Sequence, residues 1–410
     1  MDAGGGDDSD DLRFPHLTIV LLGLVTISAY GAWYYAFGVL LEPILADTGW
    51  PEAGLTATFS ASAAIGALAA LPAGRLIDRR GSRLAFLAAA GLSVLGLGLA
   101  SAAPSLPVFA LGAVLGGASL QSLGFYHITQ ATAVRAAPHR PALAIARLTI
   151  YGAFSSTVYL PLAAYLEQRI GWRATMRTLE AGTAAVLVMA AIVIRDRPDA
   201  GRQRAPLQLG VVMRSVPARR FLVASALIGL GVGTILVYQV PLMTSAGLPV
   251  ATAAWMAGAR GVAQVSGRIP VARIVARLGA RRSIQLAYIA ITLGVGVLIV
   301  AGRVWVALIY VAVAGFGIGA TSPLQGIYAD ELFERDQLGA AMGVLGMGFG
   351  LAGALGPTLV GLLTDLAGSR WWGVAIAVAA GAGAVFQMRP IPQSVLDADP
   401  TNARTIRDAV

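Results

Sequence analysis

The chain has 410 residues, of which 57% are hydrophobic and only 12% charged, and its mean hydropathy is +0.72. Those values exclude a soluble globule and specify a polytopic membrane protein. The net charge of +9 comes wholly from Arg, since the sequence has no Lys, and it reads as loop charge that sets orientation, not as a nucleic-acid footprint. Zero Cys removes disulfides and thiolate metal sites.

Residues Met1 to Arg13, MDAGGGDDSDDLR, are acidic and lack the basic start of a cleavable signal, so the first apolar segment is expected to be retained. Crossing about 30 Å of hydrocarbon takes about 20 apolar residues, with about 17 as the lower limit. Twelve stretches qualify, at roughly 16–41, 55–71, 84–102, 107–131, 142–166 and 174–194, then roughly 221–245, 251–270, 284–302, 304–326, 338–363 and 371–388. Nothing alternates as a membrane β-strand would. Counting from an inside start, cytoplasmic loops and tails hold 24 of the 30 Arg, outer loops hold five, and Arg260 is left within a helix. The asymmetry places both termini in the cytoplasm and supports an even number of crossings.

One long polar connector, 195–220, carries seven Arg, three Pro and two Gly and divides the helices six and six. The expected organisation is a cytoplasmic tail 1–14, a six-helix bundle 15–194, the cytoplasmic connector 195–220, a second bundle 221–388 and a cytoplasmic tail 389–410. The halves echo each other: Ala276 to Arg281 repeats Asp78 to Arg83 with a shift of 198, and Gly-Phe-Tyr at 124–126 matches Gly-Ile-Tyr at 326–328. Two parallel halves with one joint are the sequence mark of a carrier with a site between its repeats.

Between the second and third segments runs GRLIDRRGSR, residues 74–83, which reads as a charged, Gly-punctuated turn. Gly74, Leu76, Asp78, Arg79, Gly81 and Arg83 fill a pattern that resembles the loop between helices two and three of the major facilitator superfamily. The resemblance covers essentially the whole chain. It implies an all-α fold of twelve transmembrane helices in two pseudo-symmetric bundles that rock about a midplane site, with Gly74, Asp78, Arg79, Gly81 and Arg83 gating the inner side. The second copy has Ala276 in place of Asp78, so only the first loop can make an acid-dependent contact.

The eighth segment holds the most informative polar residues. Arg260, Gln264 and Arg268 recur at i, i+4 and i+8 on one helix face, and two cations there require a wet or paired environment. The segment resembles the eighth helix of the monocarboxylate and oxalate/formate transporter branch, whose carboxylate-binding Arg corresponds to Arg268, counting back from Ala272. Its planar fork suits a carboxylate. The plain alternatives are that Arg268 snorkels to the interface and that Arg260 pairs structurally with a residue such as Glu180. In the first segment Tyr30, Trp33, Tyr34 and Phe37 fall at i, i+3, i+4 and i+7, an aromatic wall for a small amphipathic anion or else packing. The Lys that the branch often carries near the place held here by Tyr34 and Tyr35 is missing. Tyr151 leads a polar line with Ser155 and Tyr159 on the fifth segment.

Acids within the membrane are scarce. Glu42 and Glu180 lie towards the outer ends and His127 is the one candidate proton carrier on the fourth segment, so symport, anion exchange and facilitated diffusion all stay open. No P-loop, HExxH or paired-carboxylate signature is present, so no enzyme activity, cofactor or metal is expected. The expected function is carriage of a small organic anion by alternating access across the inner (plasma) membrane. The expected partners are that anion, membrane lipid and, where transport is coupled, protons, with no nucleic acid, and the expected unit is a monomer. Proton-coupled multidrug efflux and a non-transporting membrane sensor or assembly factor on the same fold are the alternatives.

Overall fold

The structure, a computed structural model, describes residues 15–194, 215–333 and 335–391. The expected N-terminal tail, most of the connector and most of the C-terminal tail lie outside the described residues. Every regular element described is helical.

The first bundle comprises α1 (His16–Thr48), α2 (Glu52–Arg80), α3 (Ser82–Ser101), α4 (Leu106–Ala136) and the stretch Pro141–Val193, which a non-helical Gly171 (φ 73°) divides into α5 (141–170) and α6 (172–193). The second comprises α7 (Val216–Ser245), α8 (Val250–Arg268, continued by a short helix Val271–Leu278), α9 (Ala280–Val300), α10 (Val304–Leu332), α11 (Arg335–Ala367) and α12 (Trp372–Gln387). Among the described residues nine helical stretches are long and apolar enough to cross a membrane by themselves. With the Gly171 break, α8 and the shorter α12, the path makes twelve crossings.

Three boundaries differ from expectation for physical reasons. The segment 74–83 is not a turn throughout: α2 runs on through Arg80, and only Gly81, at φ 76° and ψ 174°, leaves helical geometry. Helix α4 is not continuous. It stops at Gly124 and restarts at Tyr126 around an extended Phe125, and such a break at membrane depth is tolerated where it lines a cavity. Helix α7 begins at Val216, so the last residues of the expected connector are helical.

The repeat is visible in the backbone. Among the described residues the six glycines with positive φ form three pairs, Gly49 with Gly247, Gly81 with Gly279 and Gly171 with Gly368, at offsets of 198, 198 and 197 residues. Each pair ends corresponding helices of the two bundles.

Small residues bring the bundles together, as expected where apolar burial no longer drives association. On α8, a Cβ at Gly261 would lie 2.2 Å from Ser156 Oγ and 2.7 Å from the Ala153 carbonyl of α5. On α1, a Cβ at Gly38 would lie 2.7 Å from the Val237 carbonyl of α7. The Thr157 hydroxyl donates to the Gly258 carbonyl at 2.8 Å, and Thr358 of α11 donates to the Thr56 carbonyl of α2 at 3.5 Å.

Candidate functional site between the bundles

The site begins with a local departure in α1. Residues Tyr30–Tyr35, YGAWYY, form one and a half turns of π-helix, a geometry that recurs at functional positions. The i→i+5 bonding breaks the 3.6 periodicity on which a single aromatic face depends. Trp33 and Phe37 consequently turn into the first bundle's core, where Trp33 Nε1 donates to Ser62 Oγ at 2.9 Å and Phe37 stacks on Phe59. Tyr30, Tyr34 and Tyr35 lie with ring centroids 5.5–6.2 Å apart, and Tyr34 also stacks on Phe59 at 5.7 Å, linking them to that core. Tyr35 was not legible as a member of that group, because its place depends on the wider turn.

The break in α4 completes this wall. Phe125 stacks on Tyr30 with centroids 3.5 Å apart, and the Tyr126 ring lies 5.5 Å from Tyr30. His127 donates from Nε2 to the Ser122 carbonyl at 2.8 Å, satisfying an acceptor that the interrupted helix leaves behind.

Across the bundle boundary stands the polar strip of α8. Arg260 is only 3% exposed, and its Nε donates to Gln239 Oε1 of α7 at 3.0 Å. The Tyr310 hydroxyl of α10 donates to the same oxygen at 2.8 Å. Arg260 therefore does not pair with Glu180. That carboxylate sits inside the first bundle, where it accepts from Ser93 Oγ at 2.6 Å and keeps one buried oxygen without a hydrogen-bond partner. Among the described residues Arg260 makes no ion pair, and Gln239 is its one hydrogen-bond acceptor. Its guanidinium lies within electrostatic reach of the Tyr34, Tyr35 and Tyr310 hydroxyls.

Arg268 points into the bundle boundary. Its Nη1 donates to the Thr149 carbonyl of α5 at 3.2 Å, the same carbonyl that accepts the Tyr126 hydroxyl at 3.1 Å. It too is within electrostatic reach of Tyr35 and Tyr126. Gln264, between the two Arg, is half-buried with no hydrogen bond from its side chain among the described residues. Tyr30, Tyr34, Arg260, Gln264 and Arg268 are thus brought to one boundary. Tyr151 is set apart, with its ring against Gly23 of α1 inside the first bundle.

At the Arg-rich end, Asp78 pairs with Arg135 of α4 at 3.4 Å, a contact within the first bundle, while Arg79 and Arg83 are exposed. At the far end, charges join the two bundles. Arg370, in the turn after α11, donates to Glu52 from Nε and Nη2 at 2.9 and 2.8 Å and also pairs with Glu42. Asp365 of α11 accepts the Glu52 and Ala53 amides at 3.2 and 2.9 Å, capping the start of α2 from the other bundle. The Tyr238 hydroxyl lies against Glu52 and Thr56 without a hydrogen bond of good geometry. These partners lie over 300 residues apart in sequence, so as isolated loop charges they gave no signal.

Twin six-helix bundles with a polar, aromatic-walled boundary define a secondary transporter fold. The profile of the Major Facilitator Superfamily matches residues 22–250 and again 221–406, and the chain belongs to that family. It is a multi-pass membrane transporter, not an enzyme. Among solved structures it is similar to a point mutant of the nucleoside transporter NupG, with a TM-score of 0.78 at 11% identity over 91% of this chain and 98% of that one. A D-xylose-proton symporter gives a TM-score of 0.70 at 16% identity over 92% and 97% of the two chains. A bacterial homolog of the human lysosomal transporter Spinster, in an inward-facing and occupied conformation, gives 0.68 at 15% over 92% and 93%. At those identities the likeness concerns the fold. A search of curated protein sequences finds no match.

Proposed function

We propose that the protein carries a small organic anion of monocarboxylate type, bound between the bundles at Arg260. The observation that carries this reading is the state of that guanidinium, which is 3% exposed, held through Nε by a neutral amide, and has no carboxylate partner among the described residues. A buried cation without a counter-ion is costly. An incoming carboxylate would supply the missing charge through the two terminal nitrogens. The Tyr34 and Tyr35 hydroxyls add donors, the aromatic rings give the apolar body a surface, and Gln264 offers an uncommitted amide. Arg268 adds a second cation on the same strip.

In this reading the Arg-rich end faces the cytoplasm, following the charge asymmetry. The far-end cluster of Glu42, Glu52, Asp365 and Arg370 shuts the opposite side, and the Gly74–Arg83 segment, with Arg79 and Arg83 exposed, is the gate that would engage when the carrier turns outward. The test is uptake of labelled benzoate and lactate into proteoliposomes. Arg260→Gln should abolish it, and Arg268→Gln should slow it while saturable binding persists. Full uptake by Arg260→Gln would remove the anion reading.

A further inference from the structure

Gln239 is fully buried on α7 and joins three helices through polar contacts beside the site. Its Oε1 accepts from Arg260 of α8 and from Tyr310 of α10, and its Nε2 donates to the Leu236 carbonyl at 3.3 Å. Arg has no acceptor, so the atom that meets Arg260 Nε must be the amide oxygen, and the side-chain orientation is settled by chemistry. Both lone pairs of that oxygen are used, so the junction is satisfied and rigid. A buried Arg ordinarily faces a carboxylate, yet here the acceptor is neutral. The titratable groups near the guanidinium from neighbouring helices are Tyr34 and Tyr35 of α1 and Tyr310 of α10.

We infer that Gln239 is the residue that sets the charge selectivity of the transport site: it positions the Arg260 guanidinium through one nitrogen while leaving its positive charge for the substrate. The inference rests on the reading that the anion binds at Arg260. A Glu in its place would have the same shape and accept the same two hydrogen bonds, but it would neutralise the Arg internally and repel an arriving carboxylate. A neutral or cationic solute would then be preferred. The side chain touches Arg260 and not the cargo, so its role is positional and electrostatic.

The experiment compares binding of benzoate and its neutral isostere benzamide to purified wild type, Gln239→Glu and Gln239→Met, with thermal midpoints recorded alongside. Wild type should prefer benzoate. Gln239→Glu should weaken benzoate at least about 30-fold and erase the preference, with a midpoint above that of Gln239→Met, because both acceptor bonds survive and only the Nε2 bond to the Leu236 carbonyl is lost. Gln239→Met should lower the midpoint, since Arg260 Nε and the Tyr310 hydroxyl lose their acceptor, yet retain the preference because the charge remains. A purely structural role predicts the opposite order, with Glu harmless and Met worst. Benzoate preference intact in Gln239→Glu, or lost in Gln239→Met, overturns the inference while leaving the anion site standing. Wild type that binds neither ligand, nor lactate, overturns the reading beneath it as well.

Discussion

Arg370 reaches from the turn after α11 to Glu52 at the start of α2, placing Nε and Nη2 at 2.9 and 2.8 Å from the same carboxylate oxygen and tying the two bundles together at the far end. Glu52 is 4% exposed, so the pair is shielded, and Glu42 adds a second carboxylate to the same guanidinium. Loss of one partner strands the other charge, which is the expensive way to break such a contact.

Opening of the far end should therefore depend on Arg370. The native chain has no Cys, so Thr358→Cys, at the α2–α11 seam, gives a single labelling site. Its reaction with an impermeant maleimide should rise about tenfold when Arg370→Gln is added, equivalent to about 1.4 kcal/mol less closure. Unchanged labelling would show that Arg370 does not hold that end shut.

The α5–α8 seam predicts a ranking between two glycines. A Cβ at Gly261 meets the Ala153 carbonyl at 2.7 Å, whereas one at Gly258 meets the Ser156 carbonyl at 3.2 Å. Gly261→Ala should cost about 1–3 kcal/mol in stability through overpacking, and Gly258→Ala should cost less. Thermal unfolding of the two variants in one detergent checks the order.

Two aromatic substitutions on adjacent positions of α1 should separate binding from stability. Tyr34→Phe removes a hydroxyl within electrostatic reach of Arg260 and should weaken anion binding by about 1–1.5 kcal/mol, about tenfold, with an unchanged midpoint. Trp33→Phe removes the indole bond to the buried Ser62 hydroxyl and leaves a gap in the first bundle's core, so it should lower the midpoint while leaving affinity intact. Binding and melting curves on the same preparations decide it.

Within the first bundle, Asp78 and Arg135 stand 3.4 Å apart with side chains 33% and 13% exposed. A double-mutant cycle on Asp78→Asn and Arg135→Gln should return a coupling of about 0.5–1 kcal/mol. A value near zero would leave the acid of the 74–83 segment without a role in the closed far-end state.

How much of this was readable beforehand follows from the range of each interaction. Hydropathy is local, so the crossings were legible, and so was the repeat, whose shift of 198 reappears in the backbone at Gly81 and Gly279. Helical spacing put Arg260, Gln264 and Arg268 on one face; Arg260 meets α7 and Arg268 meets α5. The π turn moved Tyr35 into the site and Trp33 out of it, because a bonding pattern of i+5 has no signature in a 3.6-residue count. The pairing of Arg260 with Gln239 and Tyr310 was not legible, since neither partner is charged and the three side chains meet only across helices. Glu52, Asp365 and Arg370 looked like ordinary loop charge until the fold brought them together.

The central claim, a buried guanidinium that waits for its counter-ion, is tested most directly by equilibrium binding of labelled benzoate to purified wild type and Arg260→Gln in parallel. Saturable binding to wild type, weakened at least about 30-fold in the variant at an equal thermal midpoint, is the predicted result. Equal affinity in the two proteins would contradict it.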